Sequence, residues 1–190
     1  MTIELDLNSL DLNSDLVEIK DLQIEDLLDF ARYGELDALE AIFESDYIVK
    51  LSAVDEHKTS LLHMVAANGH YECAKLLLSL PEVREKTLNS TNTEGHTPLH
   101  WAAFNSQVTL VRLLLEHGAN FNIKNFADRT PFDEAVAREL FDVTETIIEF
   151  LEKSQNNQDP ADSSETINDE AESDREDMDT ASKDKDEVII

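Results

Sequence analysis

The chain has 190 residues and carries 42 acidic against 15 basic side chains, which gives a formal net charge of -27. This charge argues against direct binding to nucleic acid or to an anionic membrane, because both depend on Lys and Arg. It favours solubility and a basic partner. The length predicts one domain with tails.

The acidic residues are concentrated towards the ends of the chain. Residues 1–28 hold 8 acidic and 1 basic side chains, and residues 152–190 hold 14 and 4. The intervening residues 29–151 hold 20 acidic and 10 basic side chains, an ordinary balance for a mildly acidic domain. The charge therefore divides the chain into a central domain and two acidic segments.

Features of several cellular destinations are absent from the sequence. A lone cysteine, Cys73, cannot form an intrachain disulfide, which favours a reducing compartment. No apolar run approaches the ~18 residues of a membrane-spanning helix. The acidic first residues match neither a secretory signal nor a mitochondrial transit peptide. We therefore expect a cytoplasmic and nuclear protein.

Residues 1–20 form an acidic, leucine-rich N-terminal segment in which leucines alternate with acidic residues. Two spacings resemble leucine-rich nuclear export signals, and packing on the first helices or disorder are the alternatives. The first spacing comprises Ile3, Leu7, Leu10 and Leu12, and the second comprises Leu16, Ile19, Leu22 and Ile24.

Residues 22–45 predict an atypical pair of helices. Apolar residues at helical spacing lead to Gly34, which lies 35 positions before Gly69, and a second apolar stripe comes after it. The pair resembles the three repeated segments that begin at residue 55, described next, but it lacks the Thr-Pro-Leu-His turn motif of the most regular one.

Three segments of the chain align on one another at steps of 37 and 33 residues. They begin at Asp55, Asn92 and Asn125. Each continues into an apolar stretch with helical spacing, near residues 74–78, 111–115 and 147–151 respectively. Self-similarity at such a period predicts a stack of repeated helix pairs.

One segment carries the most specific motif. Residues 97–103 read Thr-Pro-Leu-His-Trp-Ala-Ala, and residues 113–120 read Leu-Leu-Leu-Glu-His-Gly-Ala-Asn. This pattern resembles the ankyrin repeat, a family recognised by its period of about 33 residues and its Thr-Pro-Leu-His signature.

The resemblance implies an all-α ankyrin-repeat solenoid over residues 21–153, with two degenerate terminal units that cap it. The predicted repeats lie near residues 22–45, 55–91, 92–124 and 125–151. From Ser154 apolar periodicity is lost, and residues 154–190 are predicted to be a disordered acidic tail.

Local chemistry agrees with this assignment. Thr97 and Thr130 are suited to N-cap positions, and Pro98 and Pro131 to the first helical turn. Gly69 is suited to a left-handed helix end. The family resemblance also implies that Thr and His side chains bond within and between repeats, with His63 and His100 as the structural histidines.

The sequence departs from the family pattern at several positions. Lys58 replaces a turn glycine and Leu61 replaces the proline, while Ser106 and Glu139 replace the glycine between the two helices. An excess of four residues around 81–88 predicts a longer second helix or a loop.

No enzymatic, cofactor or metal site is predicted. The six histidines lack metal-ligand spacing, and Cys73 is expected to pack on a helix face. The four glycines are scattered and form no phosphate-binding loop.

The resemblance implies instead a concave binding surface, made of turn tips and inner helices. Phe104 and Phe126 occupy positions that most repeats keep polar, whereas Trp101 fits packing between inner helices as well as contact. The candidate residues are Glu56, His57, Thr59, Asn68, Thr93, Glu94, His96, Trp101, Phe104, Asn105, Phe126, Arg129 and Arg138.

A small ankyrin core between acidic segments is similar to the dedicated ankyrin-repeat chaperones of ribosomal proteins. This similarity implies a monomer that shields a basic small-subunit ribosomal protein before assembly, with no nucleic-acid or membrane partner. A generic adaptor in signalling or transcription and an acidic histone chaperone are the alternatives, because fold alone does not give function.

Overall fold

The computed structural model describes residues 22–45 and 48–156. Within these residues the chain forms nine α-helices and a 3-10 helix, Ile48–Ser52, with one isolated β-bridge and no strand. The α-helices are α1 (Ile24–Tyr33), α2 (Leu36–Phe43), α3 (Leu61–Asn68), α4 (Tyr71–Ser79), α5 (Pro81–Thr87), α6 (Pro98–Phe104), α7 (Val108–Glu116), α8 (Pro131–Ala137) and α9 (Phe141–Asn156).

Eight of these helices form four pairs that stack in chain order. The first helices of the pairs, α1, α3, α6 and α8, pack on one another as an inner layer. The second helices, α2, α4, α7 and α9, form an outer layer behind them. The predicted all-α solenoid of about four helix pairs is therefore confirmed.

Capping residues determine where the inner helices begin. Thr97 and Thr130 have extended backbones, and their side chains accept hydrogen bonds from the backbone N–H three residues on, as predicted. Ser60 does the same at the start of α3, where the sequence pattern had not indicated a cap. Pro98 and Pro131 occupy the first helical position, where no N–H is needed.

The turn and inter-helix positions require a left-handed backbone. Gly69 has the predicted conformation, with φ of 81°. The three residues that replace the family glycine also have a left-handed backbone, with φ of 59° at Lys58, 57° at Ser106 and 58° at Glu139. Left-handed backbone costs a non-glycine residue about 1–2 kcal/mol, so the packing of the repeats holds these residues in a strained conformation.

The core lies between the two layers and consists mainly of leucine and alanine. Leu39, Leu77 and Leu114 on outer helices and Leu62 and Leu99 on inner helices are almost completely buried. Cys73 is buried as predicted, and burial raises the pKa of its thiol.

The excess residues around 81–88 form neither a longer second helix nor a loop, which corrects the prediction. They fold into a separate helix, α5, after an extended Leu80. Proline disfavours helical backbone at the preceding residue but is favoured at the first position of a new helix. Pro81 therefore ends α4 and begins α5, which buries Val83 and Thr87.

The last helix is longer than predicted. Ser154, the predicted start of the tail, lies within α9, where its hydroxyl donates to the carbonyl oxygen of Phe150 at 2.8 Å. The predicted N-terminal segment and the rest of the tail, residues 157–190, lie outside the described residues. So does the first export spacing, while Leu22 and Ile24 of the second pack against the core.

We predict that Gly34→Ala destabilises the chain more than Gly118→Ala. Both glycines have positive φ. A β-carbon added at Gly34 would overlap the ring of His70, whereas a β-carbon added at Gly118 would meet no atom within 4 Å. The expected losses in free energy of unfolding are about 3 and about 1 kcal/mol, measurable by urea denaturation. Equal losses would show that the overlap with His70 adds nothing to the destabilisation caused by Gly34→Ala.

Candidate protein-binding surface

Two buried histidines connect successive repeats. The ring Nδ1 of His63 accepts the backbone N–H of Ser60 at 3.2 Å, and its Nε2 donates to the carbonyl oxygen of His96 at 3.0 Å. In the next repeat, His100 bonds in the same way to the Thr97 N–H at 3.1 Å and to the carbonyl oxygen of Arg129 at 3.0 Å. Each histidine therefore holds its own helix cap and the following turn, as the family resemblance implied.

Asparagines fix the shape of the turns. The Asn92 side-chain oxygen accepts the backbone N–H groups of Glu94 and His96, at 3.0 and 2.9 Å. Asn125 repeats this arrangement one unit later. Its amide nitrogen is therefore a donor, and it bonds to Nε2 of His96 at 3.0 Å.

Backbone hydrogen bonds join the tips of neighbouring turns. The N–H of Thr93 donates to the carbonyl oxygen of His57 at 2.8 Å, and the N–H of Phe126 donates to that of Glu94 at 3.1 Å. The tips consequently form a row beside the inner helices. We call the tips and the exposed sides of α1, α3, α6 and α8 the concave face.

Most of the predicted contact residues are solvent-exposed on this face, while His96 and Trp101 are partly buried. Thr59 is the exception: it is only 3% exposed, and its N–H is bonded to the Asp55 carboxylate at 2.7 Å. A partner cannot reach this side chain, so we remove Thr59 from the surface. The exposed residues are Glu56, His57, Asn68, Thr93, Glu94, Phe104, Asn105, Phe126, Arg129 and Arg138.

Three predicted residues on inner helices or at their ends also have structural contacts. The amides of Asn68 and Asn105 donate to carbonyl oxygens one turn earlier on their own helices, each at 2.9 Å. The Trp101 ring meets His63 edge to face, with centroids 5.6 Å apart. Trp101 therefore packs between α3 and α6, and its contact with a partner stays a prediction.

Arginine and phenylalanine meet at the C-terminal end of the face. The Arg138 guanidinium lies over the Phe104 ring, 3.3 Å from its centroid. Glu134, only 6% exposed, lies 3.6 Å from the Arg129 guanidinium and 3.9 Å from that of Arg138. We call Phe104, Arg129, Glu134 and Arg138 the Arg–Phe cluster. The sequence pattern had not indicated Glu134, which looks like any other acidic residue until its burial is known.

An acidic cleft lies at the other end of the face, between α1 and the turn that precedes α3. Its cavity of about 400 Å³ is lined by Glu25, Leu28, Asp29, Arg32, Asp55, Glu56 and His57. Only Glu56 and His57 were predicted. Glu25 and Asp29 stand four residues apart on one helix, a spacing that places both on one side and could have indicated the cleft.

The family model for ankyrin repeats, in three copies, matches residues 27–125 and, in a second match, residues 62–162. This chain belongs to the ankyrin-repeat family. Ankyrin repeats are protein-binding modules, typically without catalytic activity. Within the described residues, no group of three or more His, Cys, Asp or Glu side chains could hold a metal ion. In the same part of the chain, no helix is long and apolar enough to cross a bilayer.

Known proteins share these ankyrin repeats to different extents. The chain is 30% identical over 129 residues to ankyrin repeat-containing protein P16F5.05c of Schizosaccharomyces pombe, and the match covers 68% of the chain and 86% of that protein. It is 32% identical over 102 residues to mouse palmitoyltransferase ZDHHC13, and 39% identical over 61 residues to S. pombe palmitoyltransferase akr1.

The palmitoyltransferase matches concern only part of each protein. They cover 54% and 32% of this chain, but only 16% of the mouse enzyme and 9% of the fission-yeast enzyme. The similarity is therefore one of ankyrin repeats, and it transfers no activity to this chain.

The inter-repeat histidines are neutral in the folded ankyrin core. Burial lowers the pKa of His63 from 6.5 to about 4, against the opposing effect of its bond to the His96 carbonyl. Burial lowers the pKa of His100 as well. Because the folded pKa lies below the unfolded value, the stabilisation is complete above pH 6.5 and is lost as the pH falls towards 4.

We predict that lowering the pH from 7.5 to 5 costs about 2 kcal/mol of unfolding free energy through His63 alone. The His63→Asn variant should be less stable at pH 7.5 but should lose correspondingly less on acidification. Urea denaturation at both pH values measures this difference. His57→Asn, at an exposed tip, is the matched control and should follow the wild type. The same pH dependence in His63→Asn and in the wild type would contradict the prediction.

Proposed function

We propose that this ankyrin-repeat chain is a non-enzymatic chaperone that binds a basic small-subunit ribosomal protein before its assembly into the subunit. The observation that supports this most directly is the concave face, which combines an acidic cleft with exposed aromatic side chains. The chain's net charge of -27 supports the same class of partner.

A free ribosomal protein needs such a partner because its Lys and Arg side chains are adapted to RNA. Without RNA, these charges repel one another and attract the wrong polyanions. Carboxylates on a rigid face screen them and accelerate the encounter, an effect that weakens as salt increases. Residues 157–190 add further acidic side chains to the chain.

Aromatic residues would contribute contact area beyond charge. Phe126 is 82% exposed at a turn tip and Phe104 is 41% exposed on α6. Large exposed aromatic side chains lose little conformational entropy on binding and often dominate the energy of an interface. We propose them as the apolar anchors.

The similarity to P16F5.05c supports a protein built mainly of ankyrin repeats, since the match spans 86% of that relative. Its name does not state a partner. For such a role we propose that the chain acts in the cytoplasm, where ribosomal proteins are made, and in the nucleus, where subunits are assembled.

We predict that the full chain keeps a purified basic small-subunit ribosomal protein soluble at low salt. High salt should reduce this protection, because it screens the charges. Removal of residues 157–190 should also reduce it while leaving α9 intact. Centrifugation followed by quantification of the soluble fraction measures both effects. Protection that is indifferent to salt and to truncation would refute the electrostatic part of the proposal.

We predict that replacing both Phe104 and Phe126 by alanine weakens binding to that ribosomal protein about tenfold or more, without unfolding the repeats. Isothermal titration calorimetry gives the affinity, and circular dichroism verifies the fold. Tyr71→Ala is a matched control, because Tyr71 is 40% exposed on the outer helix α4. If Tyr71→Ala has the same effect, the concave face is not the binding surface.

A pull-down from nuclease-treated cell extract distinguishes this role from the alternatives. Enrichment of a single small-subunit ribosomal protein supports the proposal. Enrichment of histones indicates a histone chaperone, and enrichment of a kinase or transcription factor indicates an adaptor.

A further inference from the structure

The two ends of the concave face differ in charge. We propose that this polarity fixes the direction in which a partner segment binds: its Lys and Arg side chains lie over the acidic cleft, and an acidic or aromatic side chain lies against the Arg–Phe cluster. The inference rests on the proposed function, because it assumes that a segment of a basic protein occupies the face.

The cleft has a clear excess of negative charge. Its lining contains four carboxylates, those of Glu25, Asp29, Asp55 and Glu56, but only one guanidinium, that of Arg32. Arg32 is bonded to Asp29 on its own helix, and Asp55 accepts the N–H of Thr59. Glu56 projects into solvent, with 86% of its side chain exposed. A cation of the partner is the group that this end attracts.

The Arg–Phe cluster lacks this excess of negative charge. Arg129 and Arg138 share the single buried carboxylate of Glu134, while their own side chains remain 50% and 44% exposed. The nearby Lys124 pairs with Asp128 at 3.0 Å, so this pair adds no net charge. Asp133 is a further exposed carboxylate at this end, near Lys124 and Arg129, so the positive and negative charges here balance. The two guanidiniums nevertheless remain partly exposed, and that of Arg138 lies over the Phe104 ring. A carboxylate of the partner would bond to a guanidinium, and an aromatic ring would pack on Phe104.

The separation of the ends sets the length of the segment. The cleft lies on α1 and the cluster on α6 and α8, and neighbouring inner helices pack in the order α1, α3, α6, α8. Helix axes pack about 8–10 Å apart, so the ends are roughly 25–30 Å apart. A helix of about 17–20 residues spans this distance. The separation exceeds the Debye length of about 8 Å at physiological salt, so each end acts on its own part of the segment.

Between the ends, the face offers little charge to compete with this arrangement. The exposed residues at the end of α3 and α6 are the amides Asn68 and Asn105, which bond to their own helices. Glu94 is the exposed carboxylate of the middle tip, and it lies 3.3 Å from His96. A reversed segment would put cations against arginines and carboxylates against carboxylates, which electrostatic complementarity disfavours.

Two synthetic 20-residue helical peptides of identical composition test the inference on the full chain. One has its Lys residues at one end and a Glu and a Phe at the other, and the second has the same residues interleaved. We expect the segregated peptide to bind about five- to tenfold more tightly at physiological salt, where the two ends act independently. A nitroxide on its Lys end should broaden the amide signals of residues 25–32 and 56–57, and a nitroxide on its other end those of residues 104 and 129–138.

Charge variants provide the matched control. Glu25→Lys with Glu56→Lys should abolish the preference for the segregated peptide, since it reverses the charge of the cleft at exposed positions. Glu116→Lys with Glu145→Lys makes the same change in net charge on the outer helices α7 and α9, and should keep the preference. Circular dichroism verifies that both variants fold.

The outcomes separate this inference from the proposed function. Equal affinities for the two peptides, or broadening that does not follow the label, overturns the direction of binding alone. If neither peptide binds but the ribosomal protein is still kept soluble, the direction of binding is again overturned and the proposed function stands. Failure of the peptides and of the ribosomal protein together overturns the proposed function as well.

Discussion

The stack depends on one side chain that makes two hydrogen bonds at once. His63 and His100 each use Nδ1 to complete a helix cap and Nε2 to hold a backbone carbonyl of the next turn. Both bonds need a neutral ring with its proton on Nε2, which burial enforces by lowering the pKa. Because the cap and the next turn share one rigid ring, each turn is fixed against its neighbour, and the tips line up as a surface.

The two terminal units of the described stack lack this bond. At the histidine position the first pair has Asp26 and the last has Asp133. Asp133 accepts the Thr130 N–H and hydroxyl at 2.9 and 2.8 Å through one oxygen, and these bonds lower the pKa of Asp133. A carboxylate completes the cap but has no N–H to donate to the carbonyl of a following turn. The two terminal units therefore keep the helix cap, but they lack the Nε2–H that bonds a histidine-bearing repeat to the turn of the next repeat.

The range of each interaction decides how much of the structure the sequence could predict. Caps such as Thr97 and left-handed positions such as Gly69 are determined within a few residues, and they were predicted correctly. The helix that begins at Pro81 was missed because proline both ends a helix and begins one. The burial of Thr59 and of Glu134 is a property of the folded chain, which no local sequence pattern reports. The acidic cleft was missed for the same reason, since α1 and the turn at 55–57 meet only in the fold.

Net charge is therefore a poor guide to local charge in this chain. The composition is acidic throughout, yet the C-terminal end of the concave face presents two partly exposed arginines, which lie just before and just after α8 and share the buried carboxylate of Glu134. At the first inner helix the carboxylates stay at the surface and outnumber the one nearby guanidinium. The rigid bonding between repeats keeps these unlike ends apart instead of letting the side chains neutralise each other. A flexible chain of the same composition would attract a basic partner without orienting it, whereas the separated ends of this face also favour one direction of binding.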